Sequence, residues 1–264
     1  MLASFALYLA PGCLAGLLAG LLGIGGGVVM VPILLYCLPL QGINEHVNLL
    51  ALGTSMASII FTSLASVRVH NGRKSVLWPV VLRLSPGLAA GTLLGGSVVV
   101  LLPGRLLSAI FAVFLFSVAC QLLLDVSPRA SRRLPGTAGL AGVGAGIGFF
   151  SSFVGIGGGT LIIPFLVWCN TPMREAVGTS AGASFPIALA GSLAYLVQGW
   201  AVPDTPPYCL GFIYLPAFLG LVGASMLTAP LGAKLAYKVP ARGLKRFFAL
   251  FLVCIAANIL YKII

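Results

Sequence analysis

Thr54-Ser55 and Thr179-Ser180 place paired hydroxyls inside apolar stretches, each pair preceded by a glycine, Gly53 and Gly178. Upstream of each pair stands a glycine triplet, Gly25-Gly26-Gly27 and Gly157-Gly158-Gly159, leading into Val28-Val29-Met30-Val31 and Thr160-Leu161-Ile162-Ile163. A run of glycines leaves its amides uncovered. Where it feeds a helix N-terminus, the free N–H groups and the positive dipole end favour an anion. Hydroxyls donate hydrogen bonds to an oxyanion without placing a fixed charge in an apolar medium. Residues of these types at this spacing can therefore bind a small anion. Two plainer roles compete with that one. Glycine lets membrane helices approach closely, and a helical hydroxyl often bonds back to its own backbone. Simple packing uses a small residue every fourth position, as in Gly12, Gly16, Gly20 and in Gly142, Gly146. A consecutive triplet is different, because each glycine weakens a helix by about 1 kcal/mol relative to alanine and three together favour a break.

The two triplets belong to a repeat. Gly23-Ile24-Gly25-Gly26-Gly27, closing on Pro32, recurs as Gly155-Ile156-Gly157-Gly158-Gly159, closing on Pro164, at an offset of 132 in a chain of 264 residues. Gly53-Thr54-Ser55 recurs at an offset of 125, and Gly95-Gly96…Pro103-Gly104-Arg105 returns as Gly232-Ala233…Pro240-Ala241-Arg242. The chain divides into an N-terminal repeat over 1–124, a linker over 125–136 with Arg129, Arg132 and Arg133, and a C-terminal repeat over 137–264. Val28 aligns with Thr160, so the two half-sites are chemically unequal. Cys37 and Cys169 also align, either as small apolar core residues or as thiols against a substrate.

The elements that must position these residues are membrane helices. Hydrophobic residues make up 59% of the chain and charged residues 7%, far from the usual soluble composition. Apolar segments cover roughly 3–22, 28–40, 48–67, 76–102, 106–124, 137–154, 160–169, 176–197, 210–233 and 243–261. Several are long enough to cross about 30 Å of hydrocarbon as helix, and none alternates as a barrel strand would. Those after the triplets are short, as partial helices or helices with an unwound first turn would be. Met1-Leu2-Ala3 lacks a basic signal-peptide start, so the first segment is expected to be retained. Six scattered cysteines form no CxxC pair, which points to neither a disulfide framework nor a metal site.

The net charge of +11 lies in loops rather than on a nucleic-acid surface. With five crossings per half and a cytoplasmic linker, 12 of the 15 Lys and Arg residues fall inside, while Arg105 and Lys262 fall outside and Arg83 lies within a segment. This satisfies the positive-inside rule. The expected fold is an all-α integral membrane protein of two inverted five-segment repeats. Its Gly-interrupted helices, broken or re-entrant, meet at the repeat interface, and both termini lie outside. Three crossings plus a re-entrant pair per half keep the same parity.

Other ionisable residues contribute little. Arg83 either snorkels to the surface or draws anions inward. His46 with Glu45, and Glu175 beside Arg174, stand near segment ends, and no buried carboxylate pair marks a proton relay. No Gly-Lys-Ser/Thr follows either triplet, and HExxH, a Ser/His/Asp-like set and paired membrane aspartates are absent, so neither a nucleotide site nor an enzyme is expected.

The duplicated Gly-Ile-Gly-Gly-Gly with its proline, followed by Gly-Thr-Ser in the next helix, resembles the sulfite exporter TauE/SafE family of membrane transporters. The resemblance covers nearly the whole chain. It implies a bacterial inner-membrane secondary transporter, an exporter of a small anion such as sulfite or another sulfur oxyanion or organosulfonate. It also implies alternating access, with substrate at Gly25, Gly26, Gly27, Val28, Thr54, Ser55, Gly157, Gly158, Gly159, Thr160, Thr179 and Ser180. An anion channel with the same site is the alternative. No cofactor, metal or nucleic acid is expected. The partners are the anion and the lipid bilayer, with a coupling ion (H+ or Na+) and a homo-oligomer left open.

Overall fold

The computed structural model describes residues 2–22, 26–124, 131–200, 202, 203, 205–235 and 242–263. Gly25, with Gly23 and Ile24 before it, and residues 125–130 of the linker lie outside the described residues. The chain is helical nearly throughout: α1 Leu2–Leu22, α2 Gly27–Leu40, α3 Val47–Gly72, α4 Trp78–Val99, α5 Gly104–Leu123, α6 Thr137–Val154, α7 Gly159–Trp168, α8 Met173–Gly199, α9 Leu215–Leu235 and α10 Arg242–Ile263. Each expected apolar segment overlaps one of these helices. One feature differs from expectation. The ninth segment opens with a small antiparallel hairpin, β1 Cys209–Leu210 and β2 Ile213–Tyr214, turned by Gly211 at φ 55°.

Among the described residues, five helices, α3, α5, α6, α8 and α9, are long and apolar enough to cross a membrane. At 1.5 Å per residue, α2 with 14 residues and α7 with 10 are too short to span about 30 Å alone.

The main helix contacts each join an element from before the linker to one from after it: α1 with α9, α4 with α6, α3 with α8, and α5 with α10. Glycine rows make the first two possible. On α1, a Cβ on Gly12, Gly16 or Gly20 would run into Ala224 and Leu221, Ser225 and Thr228, or Ala229 and Ala233 of α9. On α4, Gly87 and Gly91 bear on the backbone of Ala141 and Ala145 of α6. Backbones at this separation gain dispersion contacts where lipid supplies no hydrophobic drive between helices. The expected row Gly142, Gly146 is corrected, since a Cβ at either would meet nothing within 4 Å. The packing row of α6 is Gly144 and Gly148, which lie against the backbone of Leu84 and Leu88. Two residues turn a helix by about 200°, so rows two apart face opposite ways.

Between these outer pairs, α3 and α8 form the centre. Leu50, Met56, Ile59, Ile187 and Tyr195 on them are wholly buried. The Tyr195 hydroxyl donates to the carbonyl of Ser152 at 2.7 Å, tying α8 to the last turns of α6.

Candidate functional site

Both glycine motifs start a helix in the same way. Gly26 caps α2 at φ 83° and Gly158 caps α7 at φ 74°, and neither start has a side-chain cap. The left-handed conformation is open to glycine and strained for other residues, which fixes the second glycine of each triplet. At the second copy the preceding helix also ends on glycine. Gly155, at φ 66°, donates its N–H to the carbonyl of Ser151 at 2.9 Å, and Ile156 donates to the same carbonyl. The chain thus leaves α6 at Val154 and enters α7 at Gly159, and residues 155–159 are all buried.

The two motifs touch. A Cβ on Gly27 would overlap the carbonyl oxygen of Gly155 and stand 2.8 Å from the Cα of Ile156. The α2 N-terminus therefore abuts the loop that feeds α7. Among the described residues, the amides of Gly157, Gly158, Gly159 and Thr160 donate no hydrogen bond, while Leu161 and Ile162 donate to Gly158. The walls mix apolar and hydroxyl groups: Ile59 and the Cβ and Oγ of Ser184 lie against Gly157, and Ile162, Ile187 and Ser151 Oγ against Gly158. No metal-holding group of His, Cys, Asp or Glu exists among the described residues.

The Gly-Thr-Ser motifs flank this centre, but their hydroxyls are engaged. Thr54 Oγ1 accepts the backbone N–H of Tyr214 at 2.9 Å, and Thr179 Oγ1 accepts that of Leu77 at 3.0 Å. The glycine before each threonine admits the same incoming strap: Gly53 meets the carbonyl of Phe212, and Gly178 meets that of Ser75. Each motif is a clasp in which glycine makes room for one carbonyl and threonine holds the N–H two residues on. Ser55 Oγ donates to the carbonyl of Gly155 at 2.9 Å, which commits its proton to the loop. Ser180 is buried beside its clasp, and Val28 and Thr160 are buried in the first turns of α2 and α7. Ser55→Ala is expected to cost about 1–2 kcal/mol by leaving a buried carbonyl without its donor, measured as a lowered melting temperature.

Two hydroxyls beside the second loop have no partner. Ser151 Oγ and Thr160 Oγ1 are both buried without a hydrogen bond. Sequence reasoning passed over Ser151, although the repeat offset sets it opposite Ala19, the same polar-for-apolar exchange that marks Thr160 against Val28.

The remaining ionisable and thiol candidates lie elsewhere. Arg83 is exposed on α4. Cys37 and Cys169 are buried, each ten residues past its triplet and so about 15 Å along its helix from the loop. Cys37 instead lines a cavity of about 810 Å³ among α1, α2, the start of α3, α5 and α10, together with Asn48 and Arg105. That cavity lies away from the glycine loops, which carry the uncommitted donors, and a site for an anion is defined by donors rather than volume.

A family model described as sulfite exporter TauE/SafE matches residues 8–259. The chain belongs to this family. It is 38% identical over 259 residues to a probable membrane transporter protein of Haemophilus influenzae, an alignment covering 97% of this chain and 98% of that one. A probable membrane transporter protein of Methanocaldococcus jannaschii is 29% identical over 245 residues, covering 90% and 89% of the two chains. The probable membrane transporter protein YunE of Bacillus subtilis is 27% identical over 280 residues, covering 98% of each. No solved structure matches the chain. With family membership and five helices able to span a bilayer, this TauE/SafE protein is a multi-pass membrane transporter. Family and relatives alike indicate transport rather than enzymatic chemistry.

Proposed function

We propose that this TauE/SafE protein is a secondary transporter of a small oxyanion, held where the N-termini of α2 and α7 meet. The contact between Gly27 and the carbonyl of Gly155 carries this reading, because it joins two uncapped helix starts at one buried place. Two positive dipole ends and bare amides stabilise an anion without a buried cation. Within the site, residues 26, 27 and 157–159 supply backbone, Thr160 supplies a hydroxyl, and Val28 supplies the unequal opposite wall. Thr54, Ser55, Thr179 and Ser180 hold the surrounding straps and loop.

The same reading extends to topology and mechanism. The repeats over 1–124 and 137–264 are inverted, joined by a cytoplasmic linker, with both termini outside the inner membrane, as the loop charges favour. One repeat rocks against the other to expose the anion to alternate sides. The family description favours sulfite or a related sulfur oxyanion or sulfonate as substrate and export as direction. Coupling to H+ or Na+ is compatible with this arrangement.

Proteoliposomes containing the full chain test the proposal with radiolabelled sulfite and methanesulfonate. The expected result is saturable uptake of at least one, accelerated by the same anion preloaded inside. Flux that rises linearly without trans-stimulation makes the protein a channel. No flux of either anion removes the substrate class.

A further inference from the structure

We infer that Ser151 and Thr160 are the hydroxyl donors that fix the transported anion, so that its oxygens are held by the C-terminal repeat and face an apolar wall on the other side. This rests on the proposed anion site and names side chains within it. Ser151 is 2% exposed and Thr160 9% exposed, and neither hydroxyl oxygen has a partner. Ser151 Oγ lies 3.3 Å from the place a Cβ on Gly158 would occupy, which aims it at the cap of α7. Thr160 is the second residue of that helix.

Their lack of partners is unusual in this protein. Ser58, Thr62, Ser85, Thr92, Ser184 and Ser192 each donate to the carbonyl one turn back, the ordinary fate of a hydroxyl in an apolar helix. Even Ser152, next in sequence, donates to Phe149 at 2.7 Å. Ser66 on α3 is also unpartnered. It stands eleven residues beyond Ser55, about 16 Å along α3 from the loop that Ser55 contacts. Among the described residues, only beside the α7 N-terminus do two unpartnered hydroxyls and a run of uncommitted amides coincide. A buried hydroxyl without an acceptor destabilises the protein that carries it. Donors gathered at the start of α7 are relieved when an anion arrives.

The matching place in the first repeat has no such donors. A Cβ on Gly26 would stand 3.1 Å from Ala19 Cβ, where the second repeat has Ser151 Oγ. Val28 takes the place of Thr160. The site is thus polar on one side only, and an anion bound there moves with α6 and α7. Neutral donors from one side suit a single negative charge, because a second would lie desolvated with no cation to meet it.

The test is equilibrium binding of labelled sulfite, methanesulfonate and sulfate to the purified full chain, with melting temperatures measured in parallel. Wild-type protein is expected to bind methanesulfonate or sulfite, with sulfate weakest. Ser151→Ala and Thr160→Val are each expected to weaken that binding about tenfold. Both should raise the melting temperature of the anion-free protein by roughly 2–4 °C. Thr160→Ser should keep the affinity within about twofold. Ser66→Ala should raise the melting temperature without changing affinity, which separates relief of an unpartnered hydroxyl from loss of a ligand contact. Unchanged affinity in both Ser151→Ala and Thr160→Val overturns the assignment while leaving the anion site standing. Lowered anion-free melting temperatures overturn it in favour of a structural role. Wild-type protein that binds none of the three anions overturns the site itself and the assignment with it.

Discussion

Gly27→Ala is expected to cost about 3 kcal/mol and to abolish anion uptake, because the added methyl has no free direction. It would overlap the carbonyl oxygen of Gly155 and press on the Cα of Ile156, both backbone atoms that cannot rotate away. Only Ile59 Cδ1, at 2.9 Å, is a flexible neighbour. Relief therefore requires α2 to withdraw from the loop that starts α7, which separates the two helix N-termini. The melting temperature should fall by roughly 6–12 °C. Gly142→Ala is the matched control, since the space beside Gly142 is open and alanine is the better helix former. It should be silent or slightly stabilising. Gly26→Val and Gly158→Val are poorer probes, because φ values of 83° and 74° penalise any side chain irrespective of the contact. If Gly27→Ala behaves like Gly142→Ala in both melting and uptake, the two motifs do not meet and the proposed site dissolves.

Local chemistry was legible in the sequence, and partners distant along the chain were not. Runs of apolar residues placed all ten helices to within a few residues, because each helix in a bilayer must satisfy its own backbone. The glycine triplets pointed to a loop feeding a helix N-terminus, and Gly26 and Gly158 stand at the N-caps of α2 and α7 with φ values of 83° and 74°. The facing of a glycine row is decided by the neighbouring helix. Gly142 with Gly146, and Gly144 with Gly148, share one spacing, yet only the second row meets α4. Thr54 and Thr179 were recognisable as a matched pair, but their acceptor role depends on N–H groups 160 and 102 residues away. Ser151 is indistinguishable by type from the bonded Ser152 beside it. The usable signal was its alignment with Ala19, a polar residue against an apolar one at a repeat-equivalent position.

Gly178→Ala should match Gly27→Ala in size, and the reason shows how the centre is tied to the outer helices. A methyl at Gly178 would overlap the carbonyl of Ser75, in the strap between α3 and α4. That strap is already fixed on its far side, where Ser75 donates both its amide and its hydroxyl to His70, at 3.1 Å and 2.9 Å. It cannot yield without losing those bonds, so a cost of about 3 kcal/mol is expected. Thr179→Val keeps the shape and removes only the acceptor for the N–H of Leu77, for about 1–2 kcal/mol. The double variant should fall short of the sum, because both changes release one strap. Gly53 and Thr54 clasp residues 212 and 214 in the same way, so Gly53→Ala and Thr54→Val should reproduce the pattern at the entry to α9. These clasps join α8 to the start of α4, and α3 to the start of α9. Any motion of the outer pairs relative to α3 and α8 must therefore load them. Loosening one by Thr179→Val is expected to raise hydrogen exchange at the Leu77 amide and to change the uptake rate more than the affinity. Unchanged exchange at Leu77 would show that Thr179 does not hold it, and the clasp would lose its mechanical role.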